Sequence, residues 1–411
     1  MTPSVDTGGH LAVVTGADEA AGHYASRLRA SVTPVTRRLA ALAGPGTERE
    51  LGEWRDRFNS LDDEAADDVV GSPFFTYYWL QLLDACVRGD RAFVAAWSRD
   101  LGRFLLVPHL RRNSGSRTLL RLPAPANEIH LPGLAAHFTT TEPVDAVSAG
   151  PDGDGSCRDG ILRLPEEYLM GEGADVLGCV RRVRHHVITD SRIEVSAADP
   201  WIRRHLASMN SKPPMEGYPA PDLQPLDADA AQLTDIDAAY GLIKTVWPGL
   251  MPELDSYVRL FVPYSSAFHS SFAEACLMRA VFLSEAKHPF SSTVYTAEHL
   301  LHEAAHLRLT LIEELDPLVT GAIDTAFASP VRKDPRPLSA MLQTVFAFAR
   351  IAAFHRHAIK AGRNTEHGAR HAESVGLLHK ALLEVESDTS LNFTAAGQRL
   401  WSDMWAEVEH A

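Results

Sequence analysis

The stretch LMRAVFLSEAKHPFSSTVYTAEHLLHEAAHLRLTLIEEL (277–315) decides how the rest of the chain is read. Its first part, LMRAVFLSEA (277–286), reads as one buried strand leading into a helix. The part TVYTAEHLLHEAAHLRLTLIEEL holds no Gly or Pro, and Leu300, Leu301, Ala304, Ala305 and Leu309 supply apolar packing at helical spacing. Within it His302, Glu303 and His306 spell H-E-x-x-H. Residues four apart share a helix face, with side-chain roots about 5–6 Å apart. Two imidazoles so placed can converge on one cation at about 2 Å. In hydrolases that carry this motif the intervening glutamate takes a proton from the metal-bound water. His299, one turn earlier, reads as a supporting or surface residue rather than a ligand.

Outward from this helix, residues 18–100 read as helical, with the aromatic stripe of FFTYYWLQLLDACVRGD (74–90) as core. From about 103 the short apolar runs RFLLVPHL, TLLRLP and NEIHLPGL, split by Gly, Ser, Asn and Pro, read as strands and turns. TTTEPVDAVSAGPDGDGSCRDG (139–160) reads as an exposed loop, and HHVITDSRIEVS (185–196) as strand-like. A second loop, SMNSKPPMEGYPAPDLQPLDAD (208–229), carries five prolines and separates two halves of the molecule. The helical period returns through DIDAAYGLIKTVWPGL and PELDSYVRLFVPY, and helices follow at about 338–361, 367–387 and 393–410. The expected fold is α+β and predominantly helical, a small sheet packed by helices with the H-E-x-x-H helix in the C-terminal half. Three regions are expected: helical 1–100, mixed strand and loop 101–230, and a helical metal-binding region 231–411.

Bulk composition excludes some classes. Hydrophobic content of 45% and charged content of 22% are ordinary for globular chains, which argues against global disorder. A formal net charge of -14 argues against a nucleic-acid binder, and the basic run RRVRHH (181–186) reads as a solvated face. The N-terminus lacks a basic segment followed by an apolar one, and no run of about eighteen apolar residues occurs, so neither a secretory signal nor a membrane span is expected. Cys86, Cys157, Cys179 and Cys276 are far apart, which fits reduced thiols in a cytoplasm.

No peptidase pattern is complete around the motif. Leu309 and Ile312 stand where a metzincin needs Gly and His. Glu373 in HAESVG lacks the surroundings of a gluzincin glutamate, and TGAID (320–324) has the aspzincin residues in the wrong order. Glu313 shares the face of His302 and His306, but lies about 10 Å further along the axis than His306.

A strand ending in FLS, then LLHEAAHLRLTLI, then SPVRKDPRPLSAMLQTVFAFARIAAFHR resembles the H-E-x-x-H proteins found beside ribosomally made, post-translationally modified peptide clusters in bacteria. The likeness is clearest over about 265–360. It implies an Fe(II)- and 2-oxoglutarate-dependent hydroxylase acting on the β-carbon of a ribosomal precursor peptide. Non-haem iron needs two or three protein ligands and open positions for cosubstrate and O2. A guanidinium suits the distal carboxylate of 2-oxoglutarate, and Arg332 and Arg336 lie in the segment the resemblance marks. Related sequences can carry a histidine where this chain has Gln343 or Phe348, so His355 is the best remaining nitrogen donor on that helix. Glu303 would then orient a ligand histidine or join the coordination shell. Two alternatives stay open: a zinc metallopeptidase using Glu303 as general base, and a degenerate, non-catalytic binding member.

Overall fold

The computed structural model describes residues 17–112, 115, 117–171, 174–214, 219–320 and 325–410. The N-terminal stretch weighed as a signal and residues 321–324 of TGAID lie outside the described residues, as do 215–218 of the proline-rich loop. The chain divides into two compact units, one of Ala25–Val187 with Cys276–Met278, the other of Met1–Tyr24, Ile188–Ala275 and Arg279–Ala411. The boundary at 187/188 differs from the three regions read from the sequence. The N-terminal helices and the strands that follow them build one unit together.

In that unit lie α1 (Ala17–Ala43, from Ala25 onward), α2 (Pro45–Asn59), α3 (Asp63–Val70), α4 (Pro73–Arg88), α5 (Arg91–Ser98) and α6 (Arg103–Arg112). The aromatic stripe is core as expected: Phe75 and Trp79 are sealed and stack at 5.4 Å. RFLLVPHL is a correction, since it forms α6 rather than a strand. A continuous apolar run carries no period that separates the two, and Phe104, Leu105, Leu106, Val107 and Leu110 are all buried.

The sheet that follows comprises β1 (Thr118–His130), β2 (Ala136–Ala149), β3 (Cys157–Arg158), β4 (Ile161–Leu164), β5 (Val176–Leu177) and β6 (Val180–Arg184), with α7 (Glu166–Leu169) between β4 and β5. β2 is central, antiparallel to β1 and β6 and parallel to β4. The loop expected at 139–160 is therefore corrected: its first part is this strand, with Val144, Ala146 and Val147 turned into the core. Cys157 and Cys179 form a disulfide with Cα atoms 6.4 Å apart, against the expectation of reduced thiols. The close approach needs Gly155 and Gly178, both at positive φ, where a Cβ on Gly155 would strike the Leu177 backbone and one on Gly178 the Gly155 backbone. In the basic run Arg182 is buried, donating to the Tyr168 carbonyl at 2.6 Å and to Asp175, while Arg181 and Arg184 are exposed. β7 (His186–Val187) ends the unit.

The second unit opens with β8 (Glu194–Val195), α8 (Pro200–Asn210), β9 (Gln224–Pro225), α9 (Ala230–Val246) and α10 (Met251–Tyr257). Its sheet continues with β10 (Leu260–Ser265), β11 (Ser271–Ala273) and β12 (Ala280–Ser284). LFVPYS is thus a strand, not a continuation of helical PELDSY. It runs parallel to β8 and β12, and such a strand is covered on both faces, which gives a continuous apolar run. β11 is antiparallel to β12 at the sheet edge. The motif helix is α11 (Thr293–Leu315), preceded by the expected buried strand β12. Small pairs β13 (Val319–Thr320), β14 (Ala326–Phe327) and β15 (Arg336–Pro337) lead to α12 (Leu338–Lys360) and α13 (Asn364–Glu386). β16 (Asn392–Phe393) and α14 (Ala395–Glu409) close the unit. Small sheets packed by many helices make the fold α+β and predominantly helical, as read from the sequence.

α12 is the one described helix long and apolar enough to cross a membrane, and 72% of that stretch is buried inside the protein. Glu253 of α10 fastens it to α11: it pairs with Arg308 at 2.8 Å and also with Arg350, whose guanidinium lies 5.0 Å from the Trp247 ring. Removing this partly buried carboxylate would leave two buried guanidiniums without their shared counter-ion.

Candidate metal centre

α11 and α12 run antiparallel, and their side chains meet in register. His306 meets Gln343, His302 meets Phe348 (ring centroids 6.3 Å), and Glu298 meets His355. This register decides the site.

His302 and His306 are half-buried, and their Nε2 atoms lie 2.9 Å apart. The i, i+4 spacing has converged the two imidazoles as their positions on one helix face require. Burial pushes the pKa of both below the ordinary histidine value, with that of His302 far below, so both are neutral and suited to bind a cation. His306 Nδ1 faces Gln343 Oε1 at 2.9 Å, and that amide nitrogen reaches Glu313 Oε2 at 3.3 Å and Thr310 Oγ1 at 3.4 Å. The amide oxygen can only accept, so Nδ1 carries the proton and Nε2 keeps its lone pair for an ion. Gln343 therefore supports a ligand instead of being one, and Glu313, too far along the helix to bind the same ion, anchors that support.

Glu303 is buried, with Oε1 accepting from the Ser271 hydroxyl of β11 at 2.5 Å. Oε2 accepts no hydrogen bond among the described residues. Burial, only partly offset by Ser271, pushes its pKa up to about 8. His299 sits on the Tyr295 ring at 3.8 Å with Nδ1 beside the Tyr295 carbonyl, and burial lowers its pKa to about 4. Its ring lies 6.3 Å from that of His302 and forms a wall of the site.

His355 is corrected as a ligand. It is fully buried, with Nε2 at 2.6 Å from Glu298 and Nδ1 at 2.9 Å from His367, and Glu298 also pairs with Arg370. Twelve residues separate it from Gln343, about 18 Å along the helix axis. His355 therefore belongs to a separate polar knot joining α11, α12 and α13. Arg336 donates to Asp334 at 3.3 Å, and Arg332 is exposed on the loop before α12. Glu373 is exposed on α13.

Among the described residues no group of three or more His, Cys, Asp or Glu side chains is arranged to hold a metal ion. The donors present fit an ion held by two histidine nitrogens with its other positions open, and do not complete a three-residue peptidase set. Sequence reasoning missed Ser271 and the supporting role of Glu313. Ser271 lies in a three-residue strand with no motif, whereas helix phase could have paired Glu313 with Gln343. In comparisons with known proteins the chain matches no family model and no curated protein.

Proposed function

We propose that the chain is an Fe(II)/2-oxoglutarate-dependent oxygenase that hydroxylates the β-carbon of a residue in a ribosomally made precursor peptide. The observation that carries this reading is the pair of converged Nε2 atoms of His302 and His306, faced across the helix interface by Gln343 and Phe348 instead of a third donor. Iron oxygenases and catalytic zinc sites both ordinarily use a third protein donor; a site of two histidines leaves the open positions that an oxo-acid and O2 would take. Bound Fe(II) with 2-oxoglutarate supplies the activation of O2 that C–H hydroxylation requires.

The residues of the chain do the rest. His302 and His306 hold the ion, and Gln343 with Glu313 fixes the tautomer and aim of His306. Phe348 and the Tyr295–His299 stack keep the flank of the pair apolar. Arg336 lies in β15, just before α12 begins, and its guanidinium would suit the distal carboxylate of the cosubstrate.

One observation favours a zinc peptidase as the second reading: Glu303 stands beside the histidine pair with a bare carboxylate oxygen. Incubation with Fe(II), 2-oxoglutarate, ascorbate and the peptide encoded beside this chain separates the two by mass. A gain of one oxygen is the expected result. A cleaved peptide supports the peptidase, and an unchanged peptide supports a binding role.

A further inference from the structure

β11 is the edge of its sheet, and its register on β12 decides which backbone groups are left over. The Ser270 carbonyl accepts from the Ser284 N–H at 2.7 Å, which makes Ser270 and Ser284 a hydrogen-bonded pair. In an antiparallel ladder such pairs alternate with non-bonded ones. Phe272 opposite Phe282 is then the next bonded pair, and Ser271 opposite Leu283 and Ala273 opposite Val281 are non-bonded. The N–H and C=O groups of Ser271 and Ala273 therefore point away from β12. Among the described residues they have no backbone partner on that side, and the strand is half-exposed.

Side-chain alternation fixes the faces. Ser271 reaches Glu303, so Ser271 and Ala273 lie on the face that carries α11 and its histidine pair. Phe272 turns to the opposite face, stacked on Phe282 at 4.4 Å and beside Tyr264 at 5.4 Å. The vacant edge thus runs alongside the residues that would meet a substrate.

We propose that β11 is the docking strand for the substrate: an extended peptide segment adds to its free edge through the backbone groups of Ser271 and Ala273. Residues directly opposite across a ladder project to the same face. The peptide residue paired with Ser271 therefore turns its β-carbon toward Glu303 and the histidines. What is bound rests on the peptide-hydroxylase reading; the pairing is independent of the reaction that follows. Main-chain pairing gives affinity with little regard to side chains and excludes proline at the paired residues.

The probe is the fluorescently labelled synthetic peptide encoded beside this chain, with binding followed by anisotropy on the full-length, metal-loaded protein without O2. Ala273→Pro removes one outward N–H while leaving the bonds to β12, a change an edge strand tolerates. It should raise Kd about three- to tenfold, the effect of one backbone hydrogen bond, while Ala273→Ser leaves Kd unchanged. With the wild-type protein, N-methylation at successive peptide residues should weaken binding at alternate positions only. An unchanged Kd in Ala273→Pro with a flat N-methyl scan overturns the docking strand, as does absence of peptide binding. Succinate release from 2-oxoglutarate reports the other reading separately. No succinate with a two-residue N-methyl pattern sinks the oxygenase and keeps the strand, whereas succinate with a flat scan sinks the strand alone.

Discussion

Replacing Gln343 by Leu removes the acceptor of the His306 Nδ1 proton and the link to Glu313 at nearly constant volume. Three hydrogen bonds are lost: 2.9 Å to His306, 3.3 Å to Glu313 and 3.4 Å to Thr310. The two long ones contribute little. The short one sets the tautomer, and its loss leaves an unpaired N–H in surroundings that already push the His306 pKa down. Loss of such an outer partner weakens metal affinity by about 10–100-fold, or roughly 1.4–2.7 kcal/mol. Titration of metal-free protein with Co(II) under anaerobic conditions, read by the visible spectrum, measures that affinity directly. Gln343→Glu keeps an acceptor at His306 but sets it against Glu313, so it should recover most of the affinity only once that pair shares a proton below neutral pH. A Gln343→Leu affinity within twofold of wild type would show that the contact does not orient a ligand, and the reasoning about the tautomer would fall.

Other outcomes follow from buried titratable groups and the disulfide. Glu303 titrates at about 8 in the folded, metal-free protein and near 4.5 unfolded, so the folded state holds the extra proton between those values. Stability should therefore fall as pH rises from 4.5 to 8, by a few kcal/mol at most. Glu303→Gln should abolish that decline in urea melts, and a parallel decline in the variant would rule Glu303 out. His205, held to about 4 mainly by burial, works in the opposite sense. Its neutral form contributes stability above pH 6.5 that is lost as pH falls toward 4, up to about 3 kcal/mol. Replacing His205 by Gln should flatten this acid limb, and an unaltered slope in the same melts counts against it. The Cys157–Cys179 bond closes a loop of 22 residues, and reduction should cost its unit about 3 kcal/mol. Non-reducing peptide mapping that finds both thiols free would contradict the pairing.

Local pattern carried far where one segment made its own case. The α11 helix, the buried β12 and the helical C-terminal third were legible because period, length and missing Gly or Pro agreed. RFLLVPHL and LFVPYS misled in opposite directions, because a continuous apolar run says buried without saying helix or strand. The disulfide joins segments whose approach depends on two glycines facing each other, a tertiary fact with no local spacing. At the site, the His302 and His306 pair was legible because one helix turn carries it. The exclusion of His355 was not, since it depends on the antiparallel register of α11 and α12, which sets Phe348 opposite His302 and Glu298 opposite His355.

The claim that everything else leans on is that one ion sits on His302 and His306 and on no other histidine. Metal content after anaerobic loading with Fe(II) and desalting, compared among wild type, His302→Ala, His306→Ala and His355→Ala, addresses it directly. The account predicts one ion per chain in wild type and in His355→Ala, and loss in the other two variants. Retention in His302→Ala or His306→Ala, or loss in a folded His355→Ala protein, would contradict it.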